Sequence, residues 1–278
     1  MRVLAISLGA LLVIGSILTT LRLWGLSLPI VEYQSEFFTE AKPWFALEIS
    51  TKNEIEQVLQ KKSDTILFFN LRMSADHILY VQAPEIFEIA IAQKKFKNED
   101  YKGPKPYDYP FSFLQKEFPG IFSFEEVLQK YPAQRLILNL VDNARDIHTV
   151  TVDLLKKYNL GKNLVIHSPV EVVLKSIKNL EPLWLYGTSQ AEATRLLSLN
   201  SLGVLPAATM RSDVFLIPLK IKDRQVFSES LNEELVRRKK KIMLGPLISW
   251  DEFESARKFK VDGFIFRNLV DFEAALGK

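Results

Sequence analysis

Cysteine is absent from the 278-residue chain, and histidine occurs only three times. The lack of cysteine excludes disulfides, thiolate nucleophiles and zinc sites with cysteine ligands. The charge is nearly balanced, because 36 basic and 33 acidic residues give a formal net charge of +3. No strong positive field results, so nucleic acid is not expected as a partner. Acid–base chemistry at an imidazole would have to use His77, His148 or His167.

The N-terminus carries a long apolar run. Residues 3–21 contain no charge and lie between Arg2 and Arg22. A helix of that length rises about 28 Å, close to the hydrocarbon thickness of a bilayer. Trp24 follows where interfacial tryptophans are common, and no small-x-small site for signal peptidase follows the run. We therefore predict a single-pass N-terminal transmembrane anchor over residues 1–22, with the following domain outside the cytoplasm.

Beyond a predicted linker at 23–43, apolar runs alternate with segments of helical period. The predicted strands are 44–49, 65–71, 135–141, 163–167, 183–187, 213–218, 241–244 and 263–266. Most are apolar without alternation, which is typical of strands buried on both faces and favours parallel pairing with helices outside. The predicted helices are 54–60, 124–130, 147–158, 170–178, 191–199, 229–238, 251–258 and 269–276. Eight such pairs predict a TIM (β/α)8 barrel over residues 44–278, with a doubly wound open sheet as the alternative.

One long stretch interrupts this alternation. Residues 83–120 are rich in lysine, proline and tyrosine and do not fit the alternation of apolar strand runs and segments of helical period. We predict an inserted loop on the upper face of the barrel, beside the place where ligands bind in such folds. A solvated surface loop without a function is the alternative.

Short segments in a fixed order carry a family resemblance. They are FFNLRMSADHILYV at 68–81, FEEVL at 124–128, LILNLV at 136–141, VIHSP at 165–169, KIML at 241–244 and VDGFIF at 261–266. In order and spacing this series resembles the glycerophosphodiester phosphodiesterase family. The resemblance covers roughly residues 44–276, the length of one barrel, and implies a TIM-barrel fold and a place in lipid metabolism.

The same resemblance implies a catalytic apparatus that this sequence lacks. The family uses Mg²⁺ or Ca²⁺ held by carboxylates, together with two histidines as general acid and base on a phosphodiester. Here residues 47–49 read Leu-Glu-Ile where the family has His-Arg-Gly, and Phe68 and Asn70 stand at the paired carboxylates. Gln82 falls near the second histidine and Asn139 lies on the strand with the E-x-K pattern. Because hard cations need anionic oxygens, we expect no metal site and no cofactor.

Two remaining polar residues could still support chemistry. Glu48 ends the first predicted strand and His167 ends the fourth, so both are expected at the same barrel mouth as a metal-free acid–base pair. The alternatives are a surface salt bridge between Glu48 and Lys52 and a structural, hydrogen-bonded histidine. His77 replaces a turn glycine of the family pattern and is predicted to tolerate a positive φ.

Further polar residues are candidates for binding a ligand at this mouth: Asn70, Arg72, Asn139, Arg211 and Lys220. Guanidinium forks at a rim suit phosphate or carboxylate groups. The basic run at 237–241 ends a predicted helix, where positive charge complements the helix dipole.

The sequence thus predicts a membrane-anchored, phosphodiesterase-like pseudoenzyme that binds a small molecule or a protein at the C-terminal face of its barrel. One alternative is an active phosphodiester hydrolase whose catalytic centre has moved to Glu48 and His167. Another is a structural envelope protein that docks a partner through the loop at 83–120. The sequence leaves open whether the chain is an enzyme.

Overall fold

The computed structural model of the chain describes residues 2–30, 35–82, 106–221 and 224–277. A long helix, α1 (Arg2–Ser27), precedes eight strands that pair in parallel. The strands are β1 (Trp44–Glu48), β2 (Ile66–Met73), β3 (Leu136–Leu140), β4 (Leu164–His167), β5 (Leu185–Tyr186), β6 (Val214–Ile217), β7 (Lys241–Leu247) and β8 (Gly263–Phe266).

These strands form a nearly closed barrel. Pairing runs without interruption from β5 through β4, β3, β2, β1, β8 and β7 to β6. A parallel bridge between Gly187, just after β5, and Val214 in β6 brings the two ends of the sheet together. The predicted (β/α)8 barrel is therefore confirmed. The alternative of an open doubly wound sheet is wrong, because β1 pairs directly with β8 and the bridge between Gly187 and Val214 joins the two ends of the sheet.

Helices follow the strands and pack around the sheet. They are α2 (Lys52–Lys61), α3 (Phe111–Glu117), α4 (Phe124–Lys130), α5 (Ile147–Lys157), α6 (Glu171–Leu180), α7 (Gln190–Ser201), α8 (Glu229–Arg237), α9 (Trp250–Ala256) and α10 (Leu269–Leu276). Side chains that accept a hydrogen bond from the first turn fix where several of them begin: Thr51, Ser189, Ser228, Ser249 and Asn268. Such caps satisfy backbone N–H groups that the helix itself leaves unpaired.

The amino-terminal end of the barrel is closed by a residue from the predicted linker. Phe37, in a short 3-10 helix (Glu36–Phe38), is fully buried among the residues that fill the barrel interior, including Ile66 and Ile137. The Arg135 guanidinium lies over the Phe37 ring and donates a hydrogen bond to the Phe37 carbonyl at 3.2 Å. This part of the segment at 23–43 thus belongs to the barrel.

Helix α1 extends beyond the predicted anchor and leaves most of its surface exposed. Residues Gly9–Ser27 are long and apolar enough to cross a membrane, by length and composition. Its last turns contact the barrel, where a Cβ on Gly25 would lie 2.1 Å from the backbone of Pro206. Arg22 also donates a hydrogen bond to the carbonyl of Gly203 at 2.9 Å. Close approach at a glycine therefore holds the end of α1 against the barrel.

Part of the predicted loop at 83–120 forms regular structure. Residues 83–105 lie outside the described residues. The rest contains α3, whose Phe111 and Leu114 pack with Tyr80 in a small apolar cluster. Asp76 accepts a hydrogen bond from the backbone of Phe111 at 2.8 Å. The second half of the loop is therefore a packed element rather than a solvated excursion.

Candidate functional site

A cavity opens where the carboxyl ends of the barrel strands converge. Its volume is about 300 Å³. The lining side chains come from the ends of several strands and the loops that follow them: Glu48, Phe68, Asn70, Arg72, Gln82, Asn139, Val141, His167, Pro246 and Arg267. This is the end of the barrel at which enzymes of this architecture bind their ligands.

A chain of hydrogen bonds crosses the floor of the cavity from β1 to β3. The amide nitrogen of Asn70 donates to Glu48 Oε1 at 2.7 Å. The amide nitrogen of Asn139 donates in turn to Asn70 Oδ1, also at 2.7 Å. Strand register explains this order, because Asn70 lies opposite Asn139 on the neighbouring strand. Glu48 and Asn70 are almost fully buried, so these bonds form in a region of low dielectric, where they are strong.

The charges at the mouth form two opposite pairs. Arg267 Nε lies 3.5 Å from Glu48 Oε2. Arg72, at the end of β2, bonds to Asp142, which follows β3. Among the described residues, two guanidinium groups thus face two carboxylates, and these four groups together carry no net charge. A cavity of this kind favours a polar ligand of low charge over a strongly charged one.

His167 continues the same layer of the barrel. It lies opposite Asn139 in the strand register, and Gly187 leaves room for its ring, since a Cβ there would approach His167 Nδ1 to 3.0 Å. Burial lowers the pKa of His167 to about 4, although part of the residue remains accessible. Within the described part of the chain, His167 Nδ1 and Asn139 Oδ1 are buried and make no hydrogen bond. Both atoms thus lie beneath the cavity surface with their hydrogen-bonding capacity unused by the described residues.

The low pKa of His167 predicts a pH-dependent stability. Between about pH 6.5 and pH 4 the unfolded chain binds a proton that the native state does not, so the free energy of unfolding falls as the pH drops. From pH 7 to pH 5 we expect a loss of about 2 kcal/mol from this group. Urea denaturation at both pH values should show this loss in the wild type and its absence in His167→Asn.

The control for this experiment is His148→Asn, near the start of α5, because His148 does not line the cavity. This variant should keep the wild-type slope. An unchanged pH dependence in His167→Asn would mean that His167 is protonated in the native state at the same pH as in the unfolded chain.

The residues at the mouth do not fit the divalent cation that the family resemblance implies. Asn70 presents N–H to Glu48, and its oxygen is taken by Asn139. Phe68 lines the cavity without offering a ligand atom. The described residues contain no group of three or more His, Cys, Asp or Glu side chains arranged to hold a metal. Among the described residues, a hard cation would find two carboxylates, those of Glu48 and Asp142, and each already faces a guanidinium.

The structure brings five of the predicted site residues together and places two elsewhere. Glu48, Asn70, Arg72, Asn139 and His167 line one cavity. Arg211 and Lys220 lie outside this cavity. The first contributes to a lateral crevice, with its guanidinium 3.5 Å from a carboxylate oxygen of α6, and the second is exposed on a short strand (Lys220–Ile221) that pairs with a neighbouring strand (Arg224–Gln225).

Three further residues near the site, Lys52, His77 and Arg267, can be compared with the sequence predictions. The alternative of a surface salt bridge between Glu48 and Lys52 is wrong, because Glu48 is buried and Lys52 bonds to Glu126. His77 adopts a φ of 60°, as predicted for a turn. Sequence reasoning missed Arg267, although it directly follows β8 and β8 pairs with β1, which carries Glu48. Its position after a strand was the signal that could have identified it.

Solved structures of phosphodiesterases resemble this chain. The glycerophosphoryl diester phosphodiesterase domain of a Mycobacterium tuberculosis protein matches with a TM-score of 0.62 at 12% sequence identity, over 84% of this chain and 100% of that domain. A Thermotoga maritima glycerophosphodiester phosphodiesterase matches with a TM-score of 0.57 at 15% identity, over 86% and 99%. An Oleispira antarctica phosphodiesterase in complex with the product sn-glycerol-3-phosphate matches with a TM-score of 0.58 at 14% identity, over 85% and 97%.

No family model and no curated protein matches the sequence. The agreement with the solved structures nevertheless extends over nearly the whole of each neighbour. The same family was indicated by the order of the sequence segments. The chain therefore has the fold of the glycerophosphodiester phosphodiesterases.

Proposed function

We propose that this protein is a membrane-anchored, non-catalytic relative of the phosphodiesterases that binds a small polar ligand in the cavity at the carboxyl ends of its strands. The observation that carries this proposal is the hydrogen-bond chain from Glu48 through Asn70 to Asn139. In this chain the amide groups of Asn70 and Asn139 stand where the resemblance leads us to expect acidic residues. Binding can survive such a change, whereas metal-dependent hydrolysis requires the cation.

The chemistry of the cavity suggests the class of ligand. Arg72 and Arg267 can each donate to a phosphate or a hydroxyl group, and the side chain of Asn139 lines the same cavity. Both guanidinium groups already face carboxylates, so a ligand with one or two negative charges and several hydroxyls suits the site. A glycerophosphate has these features, and it is the product bound by the Oleispira antarctica phosphodiesterase.

The anchor is supported by the exposure of α1. A core helix of a soluble protein would bury its apolar side chains, but Leu11, Ile17 and Leu23 are all more than half exposed. The packing of Gly25 against Pro206 gives the end of this helix a structural role that a cleaved signal peptide would not need. We place its N-terminus in the cytoplasm and the barrel outside. Digestion of the barrel by protease added outside an intact cytoplasmic membrane is the expected result.

An assay of hydrolysis and binding tests the function. The full chain in detergent is expected to show no hydrolysis of a panel of glycerophosphodiesters with Mg²⁺ or Ca²⁺, while calorimetry detects binding of sn-glycerol 3-phosphate. Asn139→Leu should weaken that binding about tenfold, since it removes the amide that donates to Asn70 and holds it in the cavity. The matched control is Asn179→Leu, in the lateral crevice. Turnover that a chelator abolishes would contradict the proposal.

An active hydrolase with a relocated centre receives less support. Glu48 and His167 do line the same cavity, but Glu48 is engaged by Asn70 and Arg267. A histidine with a pKa near 4 is a weak general base at neutral pH. Metal-independent turnover lost in both Glu48→Gln and His167→Asn would favour this alternative. Docking of a partner through the loop at 83–120 stays a prediction, because residues 83–105 lie outside the described residues.

A further inference from the structure

A second crevice lies at the opposite end of the barrel, where α1 meets it. Its volume is about 270 Å³. One wall comes from the end of α1 and the residues after it, and the other from α8 and the loop before β6: Trp24, Leu28, Pro29, Ile30, Ala207, Ala208, Thr209, Met210, Arg237, Arg238 and Lys240. We call this the anchor crevice.

The two walls of the anchor crevice differ in chemistry. The α1 side presents apolar groups, including Trp24 and Leu28. The α8 side presents three cationic side chains, of which Arg237 and Arg238 share the single carboxylate of Glu234. Among the described residues that line this wall, the three cations therefore have one carboxylate between Arg237 and Arg238, while Asp213 and Glu192 act on Lys240 from outside the crevice. An apolar wall beside a cationic wall matches the boundary between acyl chains and headgroups in a bilayer.

The cationic wall is held in position by the segment that receives α1. Arg238 donates hydrogen bonds to the carbonyls of Pro206 and Ala208. Lys240 donates to the carbonyl of Ser212 at 3.0 Å. The end of α1 packs against the same segment through Gly25. These contacts fix the distance between the apolar helix and the cations, so the crevice is formed before any ligand arrives.

The anchor crevice lies beside the end of the apolar span of α1, where the surface of a membrane would be. The apolar span ends at Ser27, and Trp24, three residues earlier, is more than half exposed. Tryptophan favours the headgroup level of a bilayer. Burial lowers the pKa of Lys240, and a nearby anion would offset this cost by stabilising the ammonium.

We propose that the anchor crevice binds the phosphate headgroup of an anionic phospholipid, with the guanidinium and ammonium groups of Arg237 and Lys240 on the phosphate and the α1 side chains against the glycerol and upper acyl chains. This proposal rests on the proposed membrane anchoring by α1. It is independent of the ligand in the cavity at the other end of the barrel. The bound lipid would join α1 to the barrel as a third element of the interface.

The test uses the full chain purified in a non-ionic detergent. Bound lipid is counted by native mass spectrometry during titration with phosphatidylglycerol or with phosphatidylcholine. We expect the chain to bind phosphatidylglycerol about tenfold more tightly, in line with the contribution of basic residues near an anionic surface. Arg237→Gln combined with Lys240→Gln should reduce this preference to about twofold or less. Arg238 is kept in this variant, because it holds the receiving segment.

A control variant removes the same charge at the same end of the barrel. Lys258 and Lys260 are exposed in the loop between α9 and β8, outside the crevice. Their combined replacement by glutamine should leave the preference unchanged. A second test variant, Thr209→Glu, adds a negative charge at the exposed edge of the crevice and should also abolish the preference. It guards against a folding defect in the double glutamine variant.

Several outcomes would overturn the proposal. They are equal binding of both lipids by the wild type, an equal loss in the Lys258 and Lys260 control, and displacement of the lipid by millimolar inorganic phosphate, which would indicate a site for the free ion. Release of the full chain from membranes by alkaline carbonate would refute the anchor and the lipid site together. Retention in the membrane without a lipid preference would refute the lipid site alone.

Discussion

Replacing Phe37 with alanine is expected to lower the free energy of unfolding by about 4 kcal/mol. Phe37 is fully buried and closes the amino-terminal end of the barrel interior. Its removal would leave a cavity lined by rigid strands, which cannot collapse to fill the space. It would also take away the ring beneath the Arg135 guanidinium. Chemical denaturation of the full chain in detergent measures the effect.

Phe38→Ala provides the matched control for this substitution. Phe38 is the neighbouring residue of the same 3-10 helix, is only partly buried and packs against Trp44. We expect a cost of about 1 kcal/mol there, because less apolar area is removed from the interior. Equal effects of the two substitutions would contradict the assignment of Phe37 as the residue that closes the barrel.

The second large effect is expected for Asn70→Asp. The new carboxyl group would stand at hydrogen-bond distance from Glu48, which Asn70 contacts at 2.7 Å. Two carboxylates this close in a buried site cannot both ionise without a large penalty, so the pKa of the pair rises in the native state. We expect a loss of about 3 kcal/mol at pH 7, measured by chemical denaturation.

The pH dependence distinguishes repulsion from simple loss of contacts. Carboxyl groups with a raised native pKa are neutral in both states at low pH, so the penalty of Asn70→Asp should shrink toward pH 4 and grow as the pH rises. Asn70→Leu removes the same hydrogen bonds without a charge and should show a penalty that changes little with pH. A pH-independent penalty in both variants would contradict the repulsion.

Added cations should separate the same two variants. With Asn70→Asp the cavity would present two adjacent carboxylates, the ligands that Mg²⁺ and Ca²⁺ require. Millimolar Ca²⁺ should therefore raise the unfolding temperature of Asn70→Asp and leave the wild type and Asn70→Leu unchanged. Stabilisation of the wild type by Ca²⁺ would show that the mouth holds a cation despite its amide groups.

The barrel could be predicted from the sequence because each β/α unit carries its own local signal. The strand at 263–266 and the helices at 124–130 and 269–276 are found with the predicted bounds. Strand β5 is shorter than predicted, with two residues in place of five. Leu183, an apolar residue that favoured the longer strand, is 86% exposed. An apolar residue tends to be buried, but its type does not show where a strand stops pairing with its neighbours.

Helix α3 was missed for a related reason. It has seven residues, follows a proline-rich stretch and gains its stability from packing against Tyr80 rather than from a periodic pattern of its own. A helix this short is not stable alone, so its formation depends on a surface that the local sequence does not reveal.

The candidate site could be predicted only in part. Strand ends identify Glu48, Asn70, Asn139 and His167, because parallel strands bring their carboxyl ends together. The pairing of Arg72 with Asp142 joins residues 70 positions apart and depends on side-chain directions. Sequence spacing carries no information on such a contact. The lateral position of Arg211 likewise depends on the path of a long loop between α7 and β6.

The two ends of the barrel have different access to their surroundings. Helix α1 joins the barrel beside the starts of the strands, and the central cavity opens at their far ends. With α1 in a bilayer, the whole length of the strands separates the opening from the lipid. A molecule that enters this opening must arrive by diffusion through water, already released from any membrane. Under the proposed anchoring, a compound with long acyl tails would have to leave the bilayer before it could reach this opening.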